Sequence, residues 1–268
     1  GITAIFFVLT MVGGVLAGKL AFLVLFGLVL LFCLWEFFTL VFQPQPGGRL
    51  TAMLPGLLPF VMAANLYFNP YQDFGLSPLY TILGLGALFF LIIILELVKQ
   101  TDLSIQRLSL IALGTLYIGI PFSLLFLIAF AGGDYRSDLL LGLLFLTWIN
   151  DTGAYFVGSL IGKRPLMRKI SPKKTLEGTV GGFVFSLLLC LVLEQIFPAL
   201  HLTEWMGLAL IGSIFGVLGD LSESMLKRNL KVKDSGDILP GHGGFLDRFD
   251  AFIFIIPFAA FYITLFNL

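Results

Sequence analysis

The stretch KDSGDILPGHGGFLDRFDAFIFIIPFAAFYITLF, Lys233 to Phe266, joins two kinds of chain with no linker between them. Its first half carries the carboxylates Asp234, Asp237, Asp247 and Asp250, the histidine His242, and glycines at 236, 241, 243 and 244. Its second half is apolar and, counted from Phe249, reaches the ~20 residues that a bilayer-spanning helix needs. A polar patch is thus held against the start of a membrane-length run. The second half bears on the fold and the first on the function.

The run at 249–267 is the last of several. Apolar segments also cover 2–17, 20–42, 51–68, 78–98, 108–131, 138–161, 178–197 and 204–222. Breakers stand between them: QPQPGGR at 43–49, NPYQDFGLSP at 69–78 and AGGDYRSD at 131–138. Of the 268 residues, 58% are hydrophobic and only 12% charged, and the mean hydropathy is +1.01. One soluble core cannot hide that much apolar surface, which excludes a large soluble enzyme. The expected fold class is all-α, a polytopic integral membrane protein of about nine transmembrane helices. Cys33 and Cys190 lie in apolar runs, where a thiol acts as a small hydrophobe, and no zinc-binding spacing occurs. The first run has no basic lead and no evident cleavage site, so a membrane helix is expected there rather than a signal peptide.

The net charge is zero and says nothing of partners. Its distribution does. With nine spans, the N-terminus and the loops after spans two, four, six and eight share one side. All but two of the 16 lysines and arginines fall on that side; Lys19 and Arg136 are the exceptions. The positive-inside rule makes the basic side cytoplasmic. Most of the basic residues lie between Lys163 and Arg248. Residues 138–268 are therefore expected to form a catalytic region with two cytoplasmic motif loops. Residues 1–137 read as a lipid-facing scaffold with candidate dimer contacts.

Asn150 and Asp151 interrupt the apolar run WINDTGAYFVGSLIG, 148–162. A lone Asp at mid-helix costs roughly 2.5–3.5 kcal/mol on insertion scales. The pair is expected to face a polar cavity, with a hydrogen bond that serves only helix packing as the alternative. Gly158 and Gly162 read as a packing pair. In RKISPKKTLEGTVGG, 168–182, Ser171-Pro172 reads as a turn and helix start. Lys173, Lys174, Thr175 and Glu177 would then stand at a helix N-terminus, where free N–H groups suit phosphate oxygens and lysines add point charges. A basic loop that only fixes topology would look the same.

In GDLSESMLKRNLKVKD, 219–234, a helix continuing out of the eighth run would put Asp220, Glu223, Ser224 and Lys227 on one face. A salt-bridged exposed helix accounts equally for Glu223 and Lys227, but less well for Asp220 at the hydrocarbon edge. In the opening stretch, Gly241, Gly243 and Gly244 around His242 permit positive φ and close backbone approach to a ligand. His242 by itself reads equally as a loop residue bonded to a backbone carbonyl. Asp247 and Asp250 face the same way if the ninth helix begins there. Together these residues offer hard oxygen donors for Mg²⁺, which favours one or two carboxylates completed by substrate phosphates. No Gly-rich loop ending in GK[ST] is present. The pattern suits phosphoryl or nucleotidyl transfer onto a lipid.

Three blocks carry a family resemblance: Ser224-Met225-Leu226-Lys227-Arg228, Lys233-Asp234-Ser235-Gly236, and Leu239 through Asp250, LPGHGGFLDRFD. Their residues and spacing resemble the signature of phosphatidate cytidylyltransferases, the CDP-diacylglycerol synthases. SPKKT-x-EG, Ser171 to Gly178, and the Asn150-Asp151 pair are similar to that family too. The motifs cover roughly 148–250, while the first half is similar only in being multi-pass and apolar. The resemblance implies that CTP and phosphatidic acid give CDP-diacylglycerol and pyrophosphate, with Mg²⁺ required; a second cation such as K⁺ is left open. It implies a multi-pass protein of the inner (plasma) membrane with its site facing the cytoplasm. It also implies a homodimer and no nucleic-acid partner.

By the same resemblance Asp220 and Asp247 are the leading metal ligands, followed by Glu223, Asp250 and Asp151. Lys174, Lys227, Arg228 and Arg248 are candidates for phosphate contacts, with His242 as a phosphate contact or orienting group. Asn150, Ser171, Lys173, Thr175, Glu177, Ser224, Lys233, Asp234, Gly243 and Gly244 complete the candidate substrate site. A CTP-dependent lipid-alcohol kinase or related CDP-lipid synthase would use a similar site. A transporter would line an ion path with its carboxylates, but here the polar residues gather on one side, Glu36 and Glu96 excepted.

Overall fold

The computed structural model describes residues 2–42, 48–68, 78–99, 104–232, 234–236 and 243–268. Its apolar runs are helical throughout: α1 (Ile2–Leu16), α2 (Lys19–Val41), α3 (Arg49–Phe68), α4 (Pro78–Lys99), α5 (Ser104–Gly114), α6 (Ile120–Ala129), α7 (Ser137–Ile161), α8 (Leu176–Ile196), α9 (Leu202–Asn229) and α10 (Leu246–Phe266). Helices α5 and α6 are one span interrupted by a π turn at Thr115–Gly119. Among the described residues, seven helical spans are long and apolar enough to cross a membrane. The apolar stretches at the first and fourth expected spans, Ile5–Leu16 and Gly86–Leu95, are shorter. The chain is a multi-pass, all-α membrane protein.

One element departs from the sequence reading. Ser171-Pro172 does not start a helix. Residues Ser171–Thr175 form a strand, β2, antiparallel to β1 (Pro165–Met167) in a two-stranded hairpin. Helix α8 begins only at Leu176, where the Thr175 side chain caps it by accepting the Gly178 N–H at 3.1 Å. Pro172 cannot donate to a ladder, and a two-stranded hairpin can place it on an outward edge.

The C-terminal helices pack as an antiparallel set, α7 on α8, α8 on α9 and α9 on α10, with α6 against α10 and α3 beside α6. Small residues permit the closest approach. A Cβ at Gly182 would stand 2.6 Å from the Asn150 carbonyl, and one at Gly178 2.7 Å from that of Ala154. Gly158 lies on the same seam, as its sequence suggested. With no hydrophobic driving force between helices in lipid, such contact surfaces hold them together.

Helix α9 runs 28 residues, about 42 Å at ~1.5 Å per residue, longer than the ~30 Å hydrocarbon core. Its C-terminal turns can therefore project beyond the apolar layer. It stops at a left-handed Lys231, φ 58°, with the Val232 N–H returning to the Lys227 carbonyl at 3.0 Å and Lys231 N–H to Arg228 at 3.1 Å. That reciprocal pair satisfies two of the carbonyls a helix end leaves open.

Candidate active site

The projecting part of α9 carries the shared face that its spacing predicts. Ser224 Oγ donates to Asp220 Oδ1 at 3.3 Å, and Lys227 Nζ pairs with Glu223 Oε2 at 2.6 Å. Each contact spans one helical turn. Glu223 is only 1% exposed, so the exposed, salt-bridged helix is not what this sequence forms. A buried pair must overcome the desolvation of both charges, and here a third group assists. Asp247 of α10 accepts from the same Lys227 Nζ at 2.7 Å.

Asp247 is held from several directions. Its Oδ2 accepts the Gly244 N–H at 2.9 Å and the Ser235 N–H at 3.0 Å, and its Oδ1 lies 3.2 Å from the Ser235 nitrogen. Gly243 adopts φ +77° beside it, and a Cβ there would come within 2.8 Å of Asp247 Oδ2. The glycine freedom expected to serve a ligand therefore also serves the chain's own carboxylate.

The second group of charges lies one turn earlier on α9. Lys174, at the end of β2, pairs with Asp220 Oδ2. Asp151 of α7 lies within electrostatic reach of that pair and of Arg248 of α10, and Asp250, which is 8% exposed, lies within reach of the pair as well. Asp151 is exposed although it stands among these groups. Asn150 beside it is buried against Gly182 of α8, and among the described residues its Oδ1 has no hydrogen-bond partner.

The stagger of α9 on α10 decides which carboxylates meet. A Cβ at Gly219 would lie 2.5 Å from the Asp250 carbonyl, so Asp250 is level with the 219–220 turn. Asp247 is a turn further out, level with Glu223 and Lys227. The charged residues form two neighbouring groups, one turn apart on α9: Asp220 with Asp250, Asp151 and Lys174, and Asp247 with Glu223 and Lys227. Lys227 and Lys174, expected on phosphates, each rest on carboxylates.

The remaining expected residues divide. Glu177 does not face the carboxylate cluster; its Oε2 accepts the Lys163 and Arg164 N–H groups, both at 3.1 Å, and ties the hairpin to α8. Ser171 is half-buried in β2, and Lys173, Arg228 and Asp234 are exposed. Lys233, Asp237, Gly241 and His242 lie outside the described residues.

A residue the sequence left unplaced joins the site. Glu36 of α2 is 2% exposed and accepts from Ser235 Oγ at 3.0 Å, Phe245 N–H at 2.9 Å and Leu246 N–H at 2.9 Å. The polarity of a Glu inside FCLWEFF was visible, but its partners about 200 residues away were not. The side chain of Glu96 lies outside the described residues.

Among the described residues, no three His, Cys, Asp or Glu side chains converge closely enough to enclose a metal ion. The donors are nonetheless hard oxygens, each group already attracts an ammonium, and among the described residues Glu223 Oε1 is buried without a hydrogen-bond partner. This set fits a Mg²⁺ held by one or two carboxylates and completed by phosphate oxygens, rather than a closed protein cage.

A model of the cytidylyltransferase family matches residues 1–266. A phosphatidate cytidylyltransferase of Bacillus subtilis (strain 168) is 37% identical over 261 residues, covering 94% of this chain and 92% of the relative. A phosphatidate cytidylyltransferase of Staphylococcus epidermidis (strain ATCC 12228 / FDA PCI 1200) is 42% identical over 179 residues, 65% of this chain and 66% of the relative. That of Staphylococcus aureus (strain COL) is 39% identical over the same length.

Proposed function

Since the chain belongs to the cytidylyltransferase family, we propose that it is a phosphatidate cytidylyltransferase working at the carboxylate and lysine groups around the α9–α10 junction. A phosphate oxygen of phosphatidic acid attacks the α-phosphorus of CTP. The new bond is P–O–P, the α–β phosphoanhydride breaks, and pyrophosphate leaves. Such a phosphate monoester is mostly dianionic near neutral pH, with a second pKa of ~6, so no strong general base is required. The chain must align two anions and offset their repulsion.

The observation that carries this reading is the pairing of Lys174 with Asp220 and of Lys227 with Asp247, in which Lys174, Lys227 and Asp247 belong to the family motif blocks. Each lysine is held by a carboxylate, and a lysine so held could meet phosphate charge as a point charge. Mg²⁺, held by Asp220 with Asp250, Asp151 or Asp247, would supply further charge neutralisation on the triphosphate. Arg228 and Arg248, exposed near the same helix ends, offer forked donors to phosphate oxygens.

A site facing the cytoplasm of the inner membrane belongs to the same proposal and is supported by the distribution of lysine and arginine. A lateral opening follows from the substrate, whose acyl chains would lose roughly 0.8 kcal/mol per CH₂ if drawn into water. The homodimer rests on the family resemblance. The test is pyrophosphate release by purified protein in detergent. Release that needs CTP, phosphatidic acid and Mg²⁺ together supports the reading. Release without lipid, or none under any of these conditions, overturns it.

A further inference from the structure

Glu36 is the sole carboxylate of α2, and the transfer reaction assigns it no role. Its position is specific nonetheless. Phe245 is the N-cap residue of α10 and Leu246 the first helical residue, and no side-chain cap from Phe245 serves that end. The first N–H groups of a helix have no intrahelical acceptor. Here Glu36 Oε1 takes Phe245 N–H and Oε2 takes Leu246 N–H, so a side chain from a distant helix caps α10. Glu36 Oε2 also takes the Ser235 hydroxyl. Gly236 and Gly244 leave the room this needs; a Cβ at Gly236 would stand 2.8 Å from Glu36 Oε1, and one at Gly244 would stand closer still to Oε2. One turn earlier on α2, Phe32 stacks on Phe245 with ring centroids 4.7 Å apart.

The same two loop residues are tied to Asp247 through their N–H groups, Ser235 at 3.0 Å and Gly244 at 2.9 Å. Ser235 is therefore held by both Glu36 and Asp247, while Gly244 is held by Asp247 and Phe245 and Leu246 by Glu36. We propose that Glu36 is a positioning residue for cytidylyl transfer, a latch from α2 that fixes Ser235 and the first turn of α10 so that Asp247 and Lys227 keep their places. This rests on the function proposed above. A carboxylate suits the role because it accepts at both oxygens, whereas a glutamine has one acceptor oxygen and turns its amide N–H groups toward donors.

The test compares wild type with Glu36→Gln and Ser235→Ala, using kcat at saturating CTP and hydrogen–deuterium exchange in the same detergent. The latch predicts a kcat loss of about 30-fold or more in Glu36→Gln, and a smaller loss, about 3- to 10-fold, in Ser235→Ala, which removes one of three bonds. Exchange should rise about tenfold in peptides covering 234–249 and stay at the wild-type level in α7 and α8. Wild-type kcat in Glu36→Gln overturns the proposal. So does exchange that rises evenly through α7 and α8, since it marks general loosening rather than a released latch. Ser235→Ala, which leaves the carboxylate intact, decides the matter if Glu36→Gln does not fold: unchanged exchange at 243–249 then overturns it. A wild type without turnover counts against the proposed function, while the exchange comparison still decides the latch.

Discussion

Lys227 Nζ lies 2.7 Å from Asp247 Oδ1 and 2.6 Å from Glu223 Oε2, so one ammonium bridges two carboxylates from two helices. Both acids are largely buried, with side-chain exposures of 1% for Glu223 and 10% for Asp247. Lys227→Met should leave both without a counter-charge. Removing one member of a buried ion pair typically costs ~3–5 kcal/mol. The expected result is a clear fall in melting temperature in detergent together with loss of turnover. Glu223→Gln on the Lys227→Met background should recover part of the stability and none of the activity. An unchanged melting temperature in Lys227→Met would show that the bridge does not hold α9 to α10.

Asp220→Asn should behave differently. Its pair with Lys174 is about a third exposed, and such pairs contribute only ~0–1 kcal/mol. Turnover should fall at least 100-fold while the melting temperature stays within a few degrees. Asp247→Asn should lose both turnover and stability, because the amide cannot serve Lys227, Ser235 and Gly244 together. Equal stability losses in the two variants would contradict the division into two groups.

Lys174→Ala should raise the apparent KM for CTP or phosphatidic acid by about tenfold, the order expected for a lost charge-assisted contact of ~1.5 kcal/mol or more. Substrate titrations of the variant check this. A wild-type KM with reversed or failed membrane insertion would mean that this loop serves topology alone.

Much of this was legible in the sequence. Apolar runs and breakers placed the helices to within a few residues, and the spacing of Asp220, Glu223, Ser224 and Lys227 put them on one face of α9. The hairpin at 165–175 was not legible, because three- and five-residue strands are too short to show a period and Ser171-Pro172 also reads as a turn. The partnership of Asp220 with Asp250 depends on how α9 is staggered against α10, which side-chain packing at Gly216 and Gly219 sets. Glu36 shows the same gap at longer range. Its burial could be suspected from its neighbours, but its three donors lie at 235, 245 and 246 and come together only through the tertiary fold.

Gly182→Ala tests the packing that places Asn150 and Asp151. The added methyl would meet the Asn150 carbonyl and side chain, and overpacking of this kind typically costs ~1–3 kcal/mol. Both the melting temperature and kcat should fall. A variant with wild-type values for both would show that the α7–α8 seam can open without disturbing the site.

The central claim is that the nucleotide, and not its terminal phosphate, moves to the lipid. The direct measurement uses two parallel incubations of wild-type protein with phosphatidic acid and Mg²⁺, one with CTP labelled at the α-phosphate and one with CTP labelled at the γ-phosphate, followed by lipid extraction. The α label should enter the lipid phase in step with pyrophosphate release, the γ label should remain in water, and Asp220→Asn should transfer neither. A γ label in the lipid with CDP left behind would make the protein a kinase and contradict the account.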